Sequence, residues 1–183
     1  PGTGKTTVAR LLGRVLFDRG VLPGDEFKFI EVSESDLIAT HIGETAVQTQ
    51  AILEKAKGGI LFIDEAYTLN KGKSSQHNFG LEAINTILKY MEDYRNEIMI
   101  IFAGYTKEME QFFETNPGLK SRVPNTFFFE DYSGDEIVEM GLKNLQKSAY
   151  QLEDESYYAM RVKQAYSRSL DHSNGRWIRN FNE

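Results

Sequence analysis

The sequence contains no cysteine. This excludes a disulfide framework, a thiolate metal site and a thiol nucleophile. Histidine is scarce, and neither His77 nor His172 has the cysteine, histidine or paired-carboxylate neighbours that zinc requires. Long apolar runs are missing too. The longest, such as Ile98–Ala103, fall far short of the roughly 18 residues of a membrane span. There is no basic excess: 21 Lys and Arg face 27 Asp and Glu, for a net charge of −6. Such a chain is poorly suited to holding nucleic acid by phosphate neutralisation alone. What is present is ordinary for a globular protein, with 40% hydrophobic, 26% charged and 12% aromatic residues, which excludes a disordered tail or a low-complexity fibre. At 183 residues the length suits one to one and a half domains. No targeting segment opens the chain, and because it starts at Pro1 rather than Met, further upstream residues are expected. A soluble, cytoplasmic protein is the default expectation.

Apolar spacing alternates between helix and strand over the first two thirds. Val8, Leu11, Leu12, Val15 and Leu16 follow the spacing of a buried helical stripe that ends at Gly20 and Pro23-Gly24. Phe27–Val32 reads as a strand. Val47, Ala51, Leu53 and Ala56 suggest a second helix closed by Gly58-Gly59. The wholly apolar Ile60-Leu61-Phe62-Ile63 predicts a strand buried on both faces of a parallel sheet. Leu81, Ile84, Leu88 and Met91 mark another helix, and Ile98–Ala103 a second fully buried strand. Met109, Phe112 and Phe113 belong to a short helix stopped at Asn116-Pro117-Gly118, and Thr126–Phe129 is read as a last strand. This alternation implies a parallel α/β sheet. Beyond Tyr132 only helices are expected. One starts at a Ser133/Glu136 capping box and runs to about Tyr150, one lies around Tyr157–Leu170, and one begins near Asn174-Gly175.

Two motifs carry chemistry. Pro1-Gly2-Thr3-Gly4-Lys5-Thr6-Thr7 leads straight into a helix and matches the end of a P-loop, G-x-x-x-x-G-K-[ST]. Glycines let backbone N–H groups surround phosphates, and the helix N-terminus adds a positive dipole end. Lys5 would reach the β- and γ-phosphates and the Thr6 hydroxyl would bind Mg²⁺. The second motif is the buried strand Ile60–Ile63 ending in Asp64-Glu65. Its carboxyl end is where α/β sheets bind ligands. There Asp64 can hold Mg²⁺ and Glu65 can orient or deprotonate an attacking water. The plainer alternatives are a chance glycine-rich turn ahead of a helix and an acidic pair that only caps a strand.

With these motifs on the page the chain resembles the AAA+ ATPases, and within them the group of the red-type rubisco activase CbbX and stage V sporulation protein K. The likeness spans essentially the whole chain. It rests on PGTGKTT, on GGILFIDEAY (Gly58–Tyr67), on FAGY (Phe102–Tyr105), on NPGLKSRV (Asn116–Val123) and on SNGRWIRN (Ser173–Asn180). The resemblance implies a P-loop NTPase core of three α/β/α layers with a parallel sheet (residues 1–132), followed by a C-terminal α-helical lid (residues 133–183). It implies the strand order 5-1-4-3-2, whose first strand would precede the P-loop and so lies outside these 183 residues. As a fragment, this span is expected to be unstable or to bind ATP weakly by itself.

The resemblance also assigns roles. Gly2, Thr3, Gly4, Lys5, Thr6 and Thr7 would bind nucleotide, with Thr6 and Asp64 on the metal and Glu65 on the water. Arg122 would be an arginine finger acting on ATP in a neighbouring subunit, and Arg176 the sensor-2 arginine of the lid, with Arg179 one turn on as a second candidate. A surface arginine and a locally paired helix-start arginine are the alternatives for Arg122 and Arg176. Two positions depart from the family. Sensor 1 is typically Asn or Thr, whereas here Tyr105 takes the aligned place and Thr106 follows. In the pore loop His41-Ile42-Gly43 stands where related proteins carry an aromatic before Ile-Gly, so His41 is a weaker or protonation-sensitive paddle, or a plain loop histidine. The polar stretch Lys71–Asn78 is either a second pore loop or a connection. Phe127-Phe128-Phe129 and Tyr157-Tyr158 suit core or subunit contacts better than a nucleic-acid platform. The expected activity is therefore Mg²⁺-dependent ATP hydrolysis, coupled to remodelling of a protein client by a homo-oligomeric ring, most simply a hexamer. A nucleotide-gated assembly scaffold and a DNA-associated AAA+ protein are the rivals.

Overall fold

A computed structural model describes residues 2–41, 43–70 and 78–183. The chain divides into two compact units: Thr6–Thr126, and a second that joins the opening residues through Lys5 to Phe127–Glu183.

The first unit is built on three parallel strands, β1 (Phe29–Val32), β2 (Ile60–Ile63) and β3 (Met99–Phe102), in the order β1-β2-β3. Ile60 is level with Phe29 on one side and Met99 on the other, and Ile63 with Val32 and Phe102. Central β2 is sealed on both faces, as its unbroken apolar run predicts. Its side chains alternate between two clusters. Leu61 and Ile63 join a core with Leu53, Ile84, Ile87 and Phe112, while Phe62 packs with Ala9 and Ala103 on the other face. The first cluster is covered by α2 (Glu34–Leu37), α3 (Thr45–Ala56), a 3-10 turn at Ala66–Asn70, α4 (Phe79–Asp93), α5 (Thr106–Thr115) and α6 (Pro117–Arg122). The opposite face receives α1 (Lys5–Asp18).

Three sequence expectations are corrected here. The stripe of α1 is not buried: Val8, Leu11, Leu12 and Val15 are all exposed, and the helix buries Ala9 and Gly13 instead. Apolar spacing says which residues share a side, whereas small residues decide where a helix can lie close. A Cβ on Gly13 would run into the Ile60 side chain. Likewise Val47 of α3 and Leu81 of α4 are exposed. Second, β3 is half-buried rather than sealed, because no strand flanks it on the side away from β2 among the described residues. Third, Thr126–Phe129 is not a strand, and Phe127 and Phe128 are exposed rather than core. The short α2 and the 3-10 turn had no periodic signature long enough to mark them.

The second unit holds three helices, α7 (Gly134–Lys147), α8 (Glu155–Arg168) and α9 (Gly175–Asn182), around Ile137, Val162, Tyr166 and Ile178. Gly141 leaves room for Ile178, 2.9 Å from where its Cβ would be. The Gly141 carbonyl accepts from the Asn182 amide at 3.1 Å, whose oxygen accepts from the Tyr158 hydroxyl at 2.6 Å. No described helix is long and apolar enough to cross a membrane.

The capping box of α7 forms as the sequence predicts. Ser133 Oγ accepts from the Glu136 N–H at 3.3 Å, and the Glu136 carboxylate accepts from the Ser133 N–H at 2.8 Å. These bonds to Ser133 hold the Glu136 carboxyl below its ordinary pKa. A carboxyl depressed on folding contributes stability that is complete above its unfolded pKa and disappears as pH falls through the folded one. Ser133→Ala should therefore lower the urea midpoint at about pH 7, and the gap from the parent should narrow in acid as the Glu136 carboxyl protonates, leaving only the loss of the Ser133 Oγ bond to the Glu136 N–H. A gap of equal size at neutral and acid pH would show that the ionised box contributes nothing.

Candidate functional site

The glycine-lysine turn is shaped by its carbonyls. Gly2 and Gly4 have φ of 67° and 84°, a left-handed conformation that suits glycine. The Gly2 carbonyl accepts from the Gly175 N–H at 3.0 Å, and the carbonyl of buried Thr3 accepts from the Tyr132 hydroxyl at 3.1 Å. In a trans peptide the N–H points opposite to the C=O. The N–H groups of Thr3 and Gly4 are thus turned away from these partners, as a phosphate-binding loop requires. Around Gly4 only the Tyr132 hydroxyl lies within 4 Å of a notional Cβ, at 3.7 Å, whereas a Cβ on Gly2 would run into the Ser173 carbonyl oxygen. The Lys5 ammonium lies 3.5 Å from the Thr3 hydroxyl.

The partners of that turn are fixed by Asn174, a fully buried residue at φ 54°. Its amide donates to Asp131 Oδ1 at 2.7 Å and to the His172 carbonyl at 2.8 Å. Its oxygen accepts from the Tyr132 N–H at 2.8 Å and the Tyr166 hydroxyl at 3.2 Å. Next to it Asp171 receives both the N–H and the hydroxyl of Ser173, at 2.9 and 3.0 Å. Burial, followed by the Asp131 and Asp171 charges, raises the Tyr166 phenol pKa and keeps it a neutral donor. This knot starts α9 and places Arg176, exposed, as its second residue, its N–H on the Ser173 carbonyl at 3.0 Å. Gly2, Thr3, Gly4, Lys5 and the turn bearing Arg176 thus come together. Arg179 is exposed one turn on. The roles of Tyr132 and Asn174 are invisible to periodicity; the signal was an asparagine before glycine at a helix start.

In the other unit the sheet delivers the acidic pair. The Asp64 N–H donates to the Val32 carbonyl at 2.9 Å and the Ala66 N–H to the Ala103 carbonyl at 3.0 Å. Between them Glu65 is pinned at φ 46°, a strained value for a residue with a side chain. Its carbonyl accepts from the Thr68 N–H and hydroxyl, both at 2.8 Å, and its N–H donates to Asp64 Oδ1 at 3.0 Å. The Glu65 side chain is exposed while Asp64 is half-buried. Tyr105 caps the start of α5 with its ring 6.2 Å from that of Tyr67. Burial first, then the nearby acids and Tyr105, raise the Tyr67 phenol pKa. Thr6 and Thr7 lie in the first turn of α1, half-buried and exposed respectively. Arg122 stands at the end of α6 and is tied to α4, through Glu92, rather than to the tip of β2. His41 is exposed; Ile42 and the stretch 71–77 with His77 lie outside the described residues.

Residues 1–131 match the model of the ATPase family associated with various cellular activities. The chain belongs to the AAA family. This AAA chain is 44% identical to stage V sporulation protein K of Bacillus subtilis, over all of its own length and 57% of that protein. It is 43% identical to the chloroplastic ribulose bisphosphate carboxylase/oxygenase activase of Cyanidioschyzon merolae, over 85% of the chain and 52% of that protein. It is also 39% identical to the protein CbbX of Cereibacter sphaeroides, over 98% of the chain and 58% of that protein. The chain thus spans little more than half the length of these relatives. Among solved structures, the ORC2 protein of Aeropyrum pernix in its ADP form superposes with a TM-score of 0.67 at 13% identity, covering 97% of this chain and 52% of that one. That likeness shows the fold alone. The expected AAA+ fold and its kinship with the sporulation and activase group are both borne out.

Asn174→Ala should cost about 1–3 kcal/mol for each buried partner left unsatisfied, read by denaturant unfolding. A variant as stable as the parent would mean that the knot does not hold the turn.

Proposed function

We propose that the protein binds ATP with Mg²⁺, hydrolyses it, and uses the energy to remodel a protein client from within a homo-oligomeric ring, a cytoplasmic hexamer in its simplest form. The observation that weighs most is Glu65. A non-glycine residue is held at positive φ directly after Asp64, with its side chain exposed and its backbone N–H and carbonyl both bonded. Strain of this kind is found where a group must be aimed.

The residues fit a magnesium nucleotide. Among the described residues no group of three or more His, Asp or Glu could enclose a cation. That suits Mg²⁺, which binds through one or two protein oxygens and completes its shell with substrate phosphates and water. Thr6 and Asp64 would supply those oxygens. When bound, the ion would neutralise charge developing on the phosphates. The N–H groups of Thr3 and Gly4, with Lys5 and the first turn of α1 at Thr6 and Thr7, would bind the phosphate chain. Glu65 would orient the attacking water and accept its proton. Tyr105, in the sensor-1 place, would offer its hydroxyl to that water or to the γ-phosphate. Arg122 would stabilise the transferring phosphoryl group in the adjoining subunit, and Arg176 would report its presence to the lid, residues 133–183.

In the full-length protein Glu65→Gln should keep ATP affinity and turn over at least about a hundredfold more slowly, measured by phosphate release. Equal turnover removes Glu65 from the water. Mixing Arg122→Ala subunits with Glu65→Gln subunits should restore part of the activity, because some interfaces then pair an intact glutamate with an intact arginine. No restoration would count against action in trans. ATP binding with assembly but no phosphate release from the parent would favour a nucleotide-gated scaffold.

A further inference from the structure

The Arg122 guanidinium is anchored by a side chain from another helix. Glu92, the penultimate residue of α4, places Oε2 3.3 Å from Arg122 Nε and 3.2 Å from Nη2. The third nitrogen, Nη1, donates to the Gly118 carbonyl at 3.2 Å. Arg95 approaches the other Glu92 oxygen at 3.7 Å. A guanidinium has five N–H donors in a rigid plane. Nε and Nη1 thus donate to Glu92 and to Gly118, while Nη2 stands at ion-pair distance from the Glu92 carboxylate. Glu92 therefore grips the guanidinium of a side chain that is still 36% exposed.

We propose that Glu92 is a positioning residue for Arg122, fixing the plane and direction in which the arginine is presented to the phosphate of a neighbouring subunit. This rests on the reading of Arg122 as a group acting in trans. A long, flexible side chain entering a site from outside gains most from being held, since misplacement by about 1 Å can cost about 10²-fold in rate.

The test uses the full-length protein. Glu92→Ala should lower kcat about ten- to a hundredfold while leaving KM for ATP, affinity for a fluorescent ATP analogue and ring mass unchanged. Glu92→Gln, which keeps a carbonyl oxygen at the same reach, should fall between Ala and the parent. The double variant Glu92→Ala/Arg122→Ala should be no slower than Arg122→Ala alone. Glu92→Ala subunits mixed with Glu65→Gln subunits should recover activity as Arg122→Ala subunits do. A slow Arg122→Ala beside an unaffected Glu92→Ala would overturn the positioning role and leave the arginine's own role intact. Losses that multiply in the double variant, or turnover that rises on losing Glu92, would also overturn it. An Arg122→Ala protein as active as the parent would remove both readings together.

Discussion

Strand β2 is held along its whole length by a parallel neighbour on each side and covered on both faces, and the acidic pair at its end inherits that fixity. Fully burying one large aliphatic or aromatic side chain contributes about 1.5–3 kcal/mol, and all four residues of β2 are sealed. A non-glycine residue at positive φ costs on the order of 1–3 kcal/mol. The burial outweighs the strain severalfold, so the ladder can impose on Glu65 a backbone it would not choose. The hydrogen bonds bracketing it, from Asp64 to Val32 and from Ala66 to Ala103, extend the same ladder past the last apolar side chain.

The other unit solves a similar problem with a polar group. Asn174 has two amide hydrogens and two carbonyl lone pairs, and all four are used. No other side chain offers that set at that length. Aspartate would bring a second negative charge against Asp131, and glutamine would push its amide past the partners. The unusual φ of Asn174 is sustained because four bonds determine it at once. Through Gly175 and Tyr132 the same knot dictates which way the Gly2 and Thr3 carbonyls face, so a buried asparagine at position 174 shapes a loop at the start of the chain.

Features that depend on a few adjacent residues were legible in the sequence. Ile60–Ile63 announced a sealed strand, Ser133 with Glu136 announced a helix start, and the motifs together announced the AAA family. Features that depend on who stands next to whom were not. The stripe of α1 read as buried because apolar spacing records a tendency, and among the described residues nothing covers it; of the two readings of Phe127–Phe129, core or subunit contact, the first fails for the same reason. β3 read as sealed for the same reason. The contacts to the turn at residues 2–5 come from positions roughly 130 and 170 residues later, and no local pattern could connect them. No local pattern marks Glu92, since only the fold brings α6 against α4.

Asn174 and Glu92 show why burial has to be weighed before a polar contact is given a meaning. The Arg122–Glu92 pair is 36% and 54% exposed at its side chains, and surface ion pairs of that kind typically contribute only about 0–1 kcal/mol. Its removal should barely touch the fold, so it has little value as a support. Its content is directional, because three contacts on one planar cation define an orientation that one contact could not. Asn174 is the reverse case, where buried groups left without partners penalise the folded state directly. Loss of function through Asn174 would therefore arrive together with loss of stability, whereas loss through Glu92 would arrive without it. That separation is what distinguishes a residue that aims a reactive group from one that merely keeps its surroundings in place.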